Sequence, residues 1–249
     1  MSLDTLQRER YARHLTMPEI GEAGQERLAA ARVLLVGAGG LGSAAGFYLA
    51  AAGVGTIDVM DGDTVELSNL QRQILHTTSD LGRPKAVCAS DAMSRLNPNV
   101  RAVPHSERLT PANAAVRLHE VDFVIDATDN FASKFLIADA CHGAGCPYAH
   151  AGILRFQGQA LTVIPGRSAC YRCLFERPPD ETDASPPQGP LGAVPGVIGA
   201  LQAGEAVKYL LGVGRLLTDR LFVFDVLEGT CRIVPARRNP RCALCGKGA

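Results

Sequence analysis

Short apolar runs alternate with amphipathic stretches through most of this chain. The runs at 33–36 (VLLV), 56–60 (TIDVM) and 121–126 (VDFVID), and those near 148–152 and 158–164, are brief and rich in aliphatic and β-branched residues, the pattern of buried strands. Helical spacing fills the gaps at 43–52, 84–96, 111–119 and 130–143. Asn97-Pro98 closes the second of these helices, and Thr110-Pro111 is a favourable start for the third. The segment 100–103 is strand-like. Upstream, 4–15 reads as a helix with Leu3, Leu6 and Leu15 available for packing and Arg8, Arg10 and Arg13 exposed. Beyond a proline-rich stretch at 176–190, which reads as a loop within the domain, come a helix at 196–211 and strands near 221–226 and 230–234.

Strands alternating with helices predict an α/β, Rossmann-like, doubly wound fold. Its sheet is mainly parallel with right-handed crossovers and acquires extra strands at the C-terminal end. A single domain over 1–249 accommodates the pattern: an N-terminal helical arm (1–30), a first strand-and-helix half (31–165), and a remainder (166–249) holding the loop, a helix, strands and a cysteine-bearing tail.

Composition narrows the function. The 25 basic and 25 acidic residues cancel, which argues against nucleic acid as a partner. The apolar runs are too short or too often interrupted to span a bilayer, and the polar N-terminus lacks a signal-peptide core, so no membrane association is expected and a cytoplasmic location is.

The candidate chemistry starts where the first strand ends. Gly37, Gly39 and Gly42 fit G-x-G-x-x-G, with Gly40 inside it, between a strand and a helix, and Asp61 follows about 20 residues on, where a ribose-binding acid belongs. Glycine lets the backbone approach a polyphosphate, and the helix N-terminus turns its N–H groups toward the anion. That motif alone would fit a nicotinamide dehydrogenase. Arg72, in SNLQRQ, and Lys85, in GRPK, change the picture, because two cations beside a phosphate suit chemistry on the phosphate itself. Asp129-Asn130 sits at the carboxyl end of the 121–126 strand, where ligands of doubly wound sheets bind. Each residue also has a purely structural explanation. Asp61 could cap a turn, Arg72 could pair with Asp63 or Glu66, and Asp129-Asn130 could start a helix.

Four of the eight cysteines form two C-x-x-C pairs, Cys170/Cys173 and Cys242/Cys245. Such knuckles suit a closed tetrahedral zinc site that would staple the tail to the body; reduced free thiols are the alternative. Cys88, Cys141, Cys146 and Cys231 have apolar neighbours and are expected in the core.

With these residues in view the chain resembles the ubiquitin-activating-enzyme-like adenylyltransferases of the ThiF/MoeB/HesA group. The matching segments are RYARH, GAGGLGS, AAGVG, DGDTVELSNLQRQ, GRPKA, DATDN, CYRC, GVIGALQAGEAVK and CALC, which span nearly the whole chain. The resemblance implies a nucleotidyltransferase that consumes ATP and releases pyrophosphate. It activates the C-terminal glycine of a small ubiquitin-like sulfur carrier ending in Gly-Gly as an acyl-adenylate, for thiocarboxylate chemistry of the molybdopterin or thiamine kind. It further implies that Gly39 and Gly42 line the phosphates, that Asp61 holds the ribose, and that Asn69, Arg72 and Lys85 contact phosphate oxygens. Asp63, Gln73 and Asn130 are expected at the same nucleotide, and Asp129 would bind Mg2+. From its place close before Asp129 in the sequence, Asp126 could share or support that metal role. A homodimer is implied, with Arg13 entering the partner's nucleotide site as an arginine finger.

The chain departs from the family pattern twice. Ser185 stands about where a loop cysteine often lies, which argues against covalent catalysis there. Lys134 replaces the arginine of DNxxxR, which keeps charge near the phosphate but loses a bidentate grip. Because the sequence ends at Ala249, just past the last knuckle, adenylation without an appended sulfurtransferase is expected. Two alternative readings are a Rossmann oxidoreductase, which gives Arg72, Lys85 and the knuckles no joint purpose, and a scaffold that holds ATP and a carrier without turnover.

Overall fold

Residues 3–178 and 189–246 are described by the computed structural model. Ser185 and the middle of the expected 176–190 loop lie outside the described residues.

The strands form one eight-stranded sheet in the order β3-β2-β1-β4-β5-β6-β7-β8. β1 (Arg32–Val36), β2 (Thr56–Met60), β3 (Arg101–His105), β4 (Phe123–Asp126) and β5 (Tyr148–Leu154) pair in parallel. β6 (Gln157–Val163), β7 (Arg220–Asp225) and β8 (Thr230–Pro235) extend the sheet antiparallel. Pro104 fits within β3 because that strand is an edge, where a missing N–H is tolerated.

The pleat divides each central strand between two cores. Val33 and Leu35 of β1, Ile57 and Val59 of β2, and Phe123 and Ile125 of β4 join one apolar cluster, while Leu34, Val36, Met60 and Val124 join the other. α4 (Gly40–Ala52), α5 (Lys85–Leu96) and α9 (Ala193–Leu211) cover the first face, with α4 lying along α9. α6 (Pro111–Arg117), α7 (Phe131–Ala144) and α8 (Tyr171–Leu174) belong to the second. Helices on both faces make the sheet doubly wound, as the alternation predicts.

Three local differences have physical causes. The expected helix at 4–15 is broken at Tyr11 into α1 (Thr5–Arg10) and α2 (Ala12–Leu15), because the Tyr11 ring turns inward and its hydroxyl accepts a hydrogen bond from Asn97 Nδ2 at 2.8 Å. Leu3 is buried by this arrangement, whereas Leu6 stays exposed. α3 (Gly21–Ala30) carries little apolar signal of its own. Its Gly24 permits close approach to Leu211 of α9, so tertiary contact stabilises a helix that its apolar pattern does not announce. Cys231 is exposed on the edge strand β8, unlike the buried Cys88, Cys141 and Cys146, since local apolar neighbours do not reveal which strand lies at an edge. Among the described residues no helix is long and apolar enough to cross a membrane.

Candidate active site

β1 ends at Val36, which stands in register with Met60 of β2 and Asp126 of β4. The next residues, Gly37, Asp61 and Ala127, therefore leave three adjacent strand ends side by side. The Gly37 N–H bonds the Met60 carbonyl at 2.8 Å, and the Ala127 N–H bonds the Val36 carbonyl at 2.9 Å. Gly37 has φ +99°, and a Cβ there would lie 2.7 Å from the Ala127 carbonyl oxygen. A Cβ on Gly42 would meet the Gly37 carbonyl oxygen at 2.0 Å, so these two glycines let helix, loop and strand touch. Gly39 differs. It precedes the first residue of α4, Gly40, and the nearest atom to a Cβ there would be Gln73 Nε2 at 3.7 Å, which leaves its face open.

The loop after β2 supplies acids and cations. Asp61 accepts from the Ala38 N–H through Oδ2 and from the Asp63 N–H through Oδ1, both at 2.8 Å, so it shapes the glycine loop as well as its own turn. Asp63 receives Arg108 Nη2 at 2.8 Å and Lys85 Nζ at 3.5 Å. Arg108 first, then Lys85, hold its carboxyl below the usual range against partial burial. Arg72 pairs with neither Asp63 nor Glu66; Nη1 donates to the Ser68 carbonyl at 3.1 Å. Asn69 and Gln73 are buried, and Gln73 Oε1 has no partner among the described residues.

The loop after β4 corrects two expectations. Asp126 is not placed to share a metal with Asp129. It is buried and bonded to His150 Nδ1 (2.8 Å) and Thr128 Oγ1 (2.6 Å), with Lys134 Nζ 3.4 Å from each carboxylate oxygen. Lys134 is likewise internal, donating to the carbonyls of Thr128 (2.8 Å) and Ala151 (2.6 Å), because the first turn of α7 points it under the β4 loop and not toward a phosphate. Asp129 itself is exposed, touched by Asn130 Nδ2 at 3.4 Å, while Asn130 Oδ1 caps α7 through the Ser133 N–H.

The C-x-x-C pairs meet. Cys170 lies 3.7 Å from Cys173 and 3.5 Å from Cys242, Cys173 lies 3.4 Å from Cys245, and all four sulfurs fall within 4.8 Å of one another. Disulfide sulfurs would be about 2.0 Å apart. Four thiolates around one tetrahedral ion, each about 2.3 Å from it, stand about 3.8 Å apart, which is near the spacing here.

The strand ends thus form an open glycine-lined shelf flanked by Asp61, Asp63, Arg72 and Lys85 on one side and Asp129 on the other. Such a shelf can cradle a polyphosphate and counter its charge. The ThiF family profile matches residues 11–244. The chain belongs to the ThiF family. It is 45% identical over 254 residues to the SAMP-activating enzyme E1 of Haloferax volcanii, covering 100% of this chain and 92% of that one. It is 44% identical over 245 residues to the sulfur carrier protein adenylyltransferase of Thermus thermophilus, covering 96% and 90% respectively. The adenylyltransferase and sulfurtransferase MOCS3 of Bos taurus is 46% identical over 241 residues, but the chain spans only 53% of it. Among solved structures, E. coli MccB with ATP shares the fold at a TM-score of 0.81 and 24% identity, covering 98% of this chain and 75% of that chain.

Every nucleotide-side residue expected from the ThiF resemblance, from Gly37 to Lys85 and at Asp129 and Asn130, stands on a loop or helix start that follows β1, β2 or β4. Arg13 is apart from them, exposed on α2. Sequence reasoning missed Arg108. Arg108 comes from the β3–α6 loop and reaches Asp63 only because β3 lies beside β2. No local signal marks it.

Proposed function

We propose that this ThiF-family chain is an ATP-dependent adenylyltransferase that activates the C-terminal glycine of a small ubiquitin-like sulfur carrier. The observation that carries the reading is the convergence of the glycine loop, Asp61, Arg72, Lys85 and Asp129 on the carboxyl ends of three adjacent parallel strands. The activities named for two relatives covered almost end to end agree with it.

The carrier's terminal carboxylate attacks the α-phosphorus of ATP, forming an acyl–phosphate bond as the bond to pyrophosphate breaks. A carboxylate is already ionised at neutral pH, so the protein needs no general base and works by positioning and charge. In this reading Gly39 and Gly40 approach the phosphates through their backbone, and Asp61 binds the ribose. Arg72 and Lys85 neutralise phosphate oxygens, with Asn69, Gln73 and Asn130 completing the polar lining. Lys85 would exchange its weak 3.5 Å contact with Asp63 for the nucleotide, while Arg108 keeps Asp63 paired. Asp129, exposed and lightly engaged, is the residue to hold Mg2+, which supplies charge neutralisation on the phosphates. Cys170, Cys173, Cys242 and Cys245 would hold a structural Zn2+. The whole chain works as one adenylation unit within a homodimer, where the exposed Arg13 serves the partner's site. Thiols kept reduced for a metal suit the cytoplasm.

ATP–pyrophosphate exchange with Mg2+ and candidate carriers ending in Gly-Gly tests the proposal. Exchange should require the intact terminal glycine. Tight ATP binding with no exchange for any carrier would sink the enzyme reading in favour of a scaffold.

A further inference from the structure

Ala38 of the glycine loop is held through both of its peptide groups. The Ala38 N–H donates to Asp61 Oδ2 at 2.8 Å, and the Ala38 carbonyl accepts from His76 Nε2 at 2.9 Å. His76 is 5% exposed and lies beyond the SNLQRQ segment, outside the residues assigned above to the nucleotide. Burial lowers its proton affinity and keeps the ring neutral. A neutral ring that donates to a carbonyl carries its proton on Nε2, and its Nδ1 is then left buried and unpartnered. An orphaned buried nitrogen costs stability that an apolar side chain of similar size would not incur. The position keeps a polar group for the contact it makes.

The consequence lies in the next N–H. Among the described residues there is no cis peptide, and in a trans peptide the carbonyl and the following N–H point in opposite directions. Drawing the Ala38 carbonyl inward onto His76 turns the Gly39 N–H outward, onto the open face at the start of α4. Among the described residues that N–H has no acceptor. Glycines on both sides make this stretch cheap to re-orient, so the outward setting needs a restraint. We propose that His76 is a positioning residue that locks the Ala38–Gly39 peptide so that the Gly39 N–H faces the nucleotide's phosphates. The inference rests on the reading that this loop holds ATP.

Calorimetric titration of the full chain with ATP and Mg2+, and separately with adenosine, compares wild type with His76→Gln, His76→Asn and His76→Leu. The glutamine amide reaches the carbonyl much as Nε2 does, and the shorter asparagine amide does not. His76→Leu and His76→Asn should bind ATP about 10-fold or more weakly and adenosine within about 2-fold of wild type, with His76→Gln recovering most of the loss. If His76→Leu fails to fold, the two amides carry the comparison. Equal ATP affinity for His76→Gln and His76→Asn, or equal losses for ATP and adenosine, would overturn this inference while leaving the nucleotide reading intact. A wild-type chain that bound no ATP would overturn both.

Discussion

Lys134 Nζ stands 3.4 Å from each carboxylate oxygen of Asp126, and both side chains are buried beneath the turn that leads to Asp129. The lysine also ties together the carbonyls after β4 and on β5. Lys134→Met should leave Asp126 buried without its cation and cost about 3–5 kcal/mol, read by urea denaturation. A loss below about 1 kcal/mol would show that water or rearrangement replaces the lysine.

The same cluster sets a pH dependence. Burial alone would raise the Asp126 carboxyl, but Lys134, His150 and Thr128 together overcome it and hold it at about 2. A carboxyl lowered on folding stabilises the fold above its unfolded value, near 3.9, and that contribution, about 2 kcal/mol, is lost as pH falls toward about 2. Burial lowers His150 as well, so its share begins to be lost as pH drops through about 6.5. Tm should therefore decline in two stages on acidification. Asp126→Asn, less stable at neutral pH, should show a flatter acid limb below about pH 4.

Gly39 and Gly42 should separate binding from folding. A methyl group on Gly42 would meet the Gly37 carbonyl oxygen at 2.0 Å, whereas on Gly39 the nearest atom is 3.7 Å away. Gly42→Ala should lower Tm and abolish ATP binding together, at an overpacking cost of about 1–3 kcal/mol or more. Gly39→Ala should keep its Tm and still weaken ATP binding, because its methyl occupies the shelf. Equal Tm losses in the two variants would contradict this geometry.

Asp129 and Arg13 are both exposed, so their loss should spare stability. Asp129→Ala and Arg13→Ala should each depress pyrophosphate exchange by about 100-fold or more with Tm unchanged. Mixed dimers of the two variants should regain one working site if Arg13 acts in trans. Mixtures no more active than either parent would rule that out.

The four gathered thiols predict a metal-dependent tail. Chelation, or Cys173→Ser, should lower Tm by several degrees and free the region around Cys242 and Cys245 to proteolysis. Zinc analysis of the purified protein should give about one ion per chain, falling in the variant. Unaltered stability in metal-free protein would leave the cluster as reduced thiols.

Much of this protein is decided by local pattern. Alternating apolar runs place the strands within a few residues, because a strand buried on both faces must be apolar and short. The G-x-G-x-x-G spacing locates the glycine loop between β1 and α4, because only glycine tolerates the φ at Gly37 and the contact at Gly42. The Cys-x-x-Cys pairs announce their meeting across the chain. What the tertiary structure decided are the relationships between distant segments. β3 beside β2 brings Arg108 to Asp63, α9 holds α3 in place, and β8 as an edge leaves Cys231 in solvent. Lys134 and His76 illustrate the same limit, since a charge or a ring in a motif does not state which way it faces. Each points inward because a buried carboxylate or carbonyl there needs a donor, and only the folded chain puts them within reach.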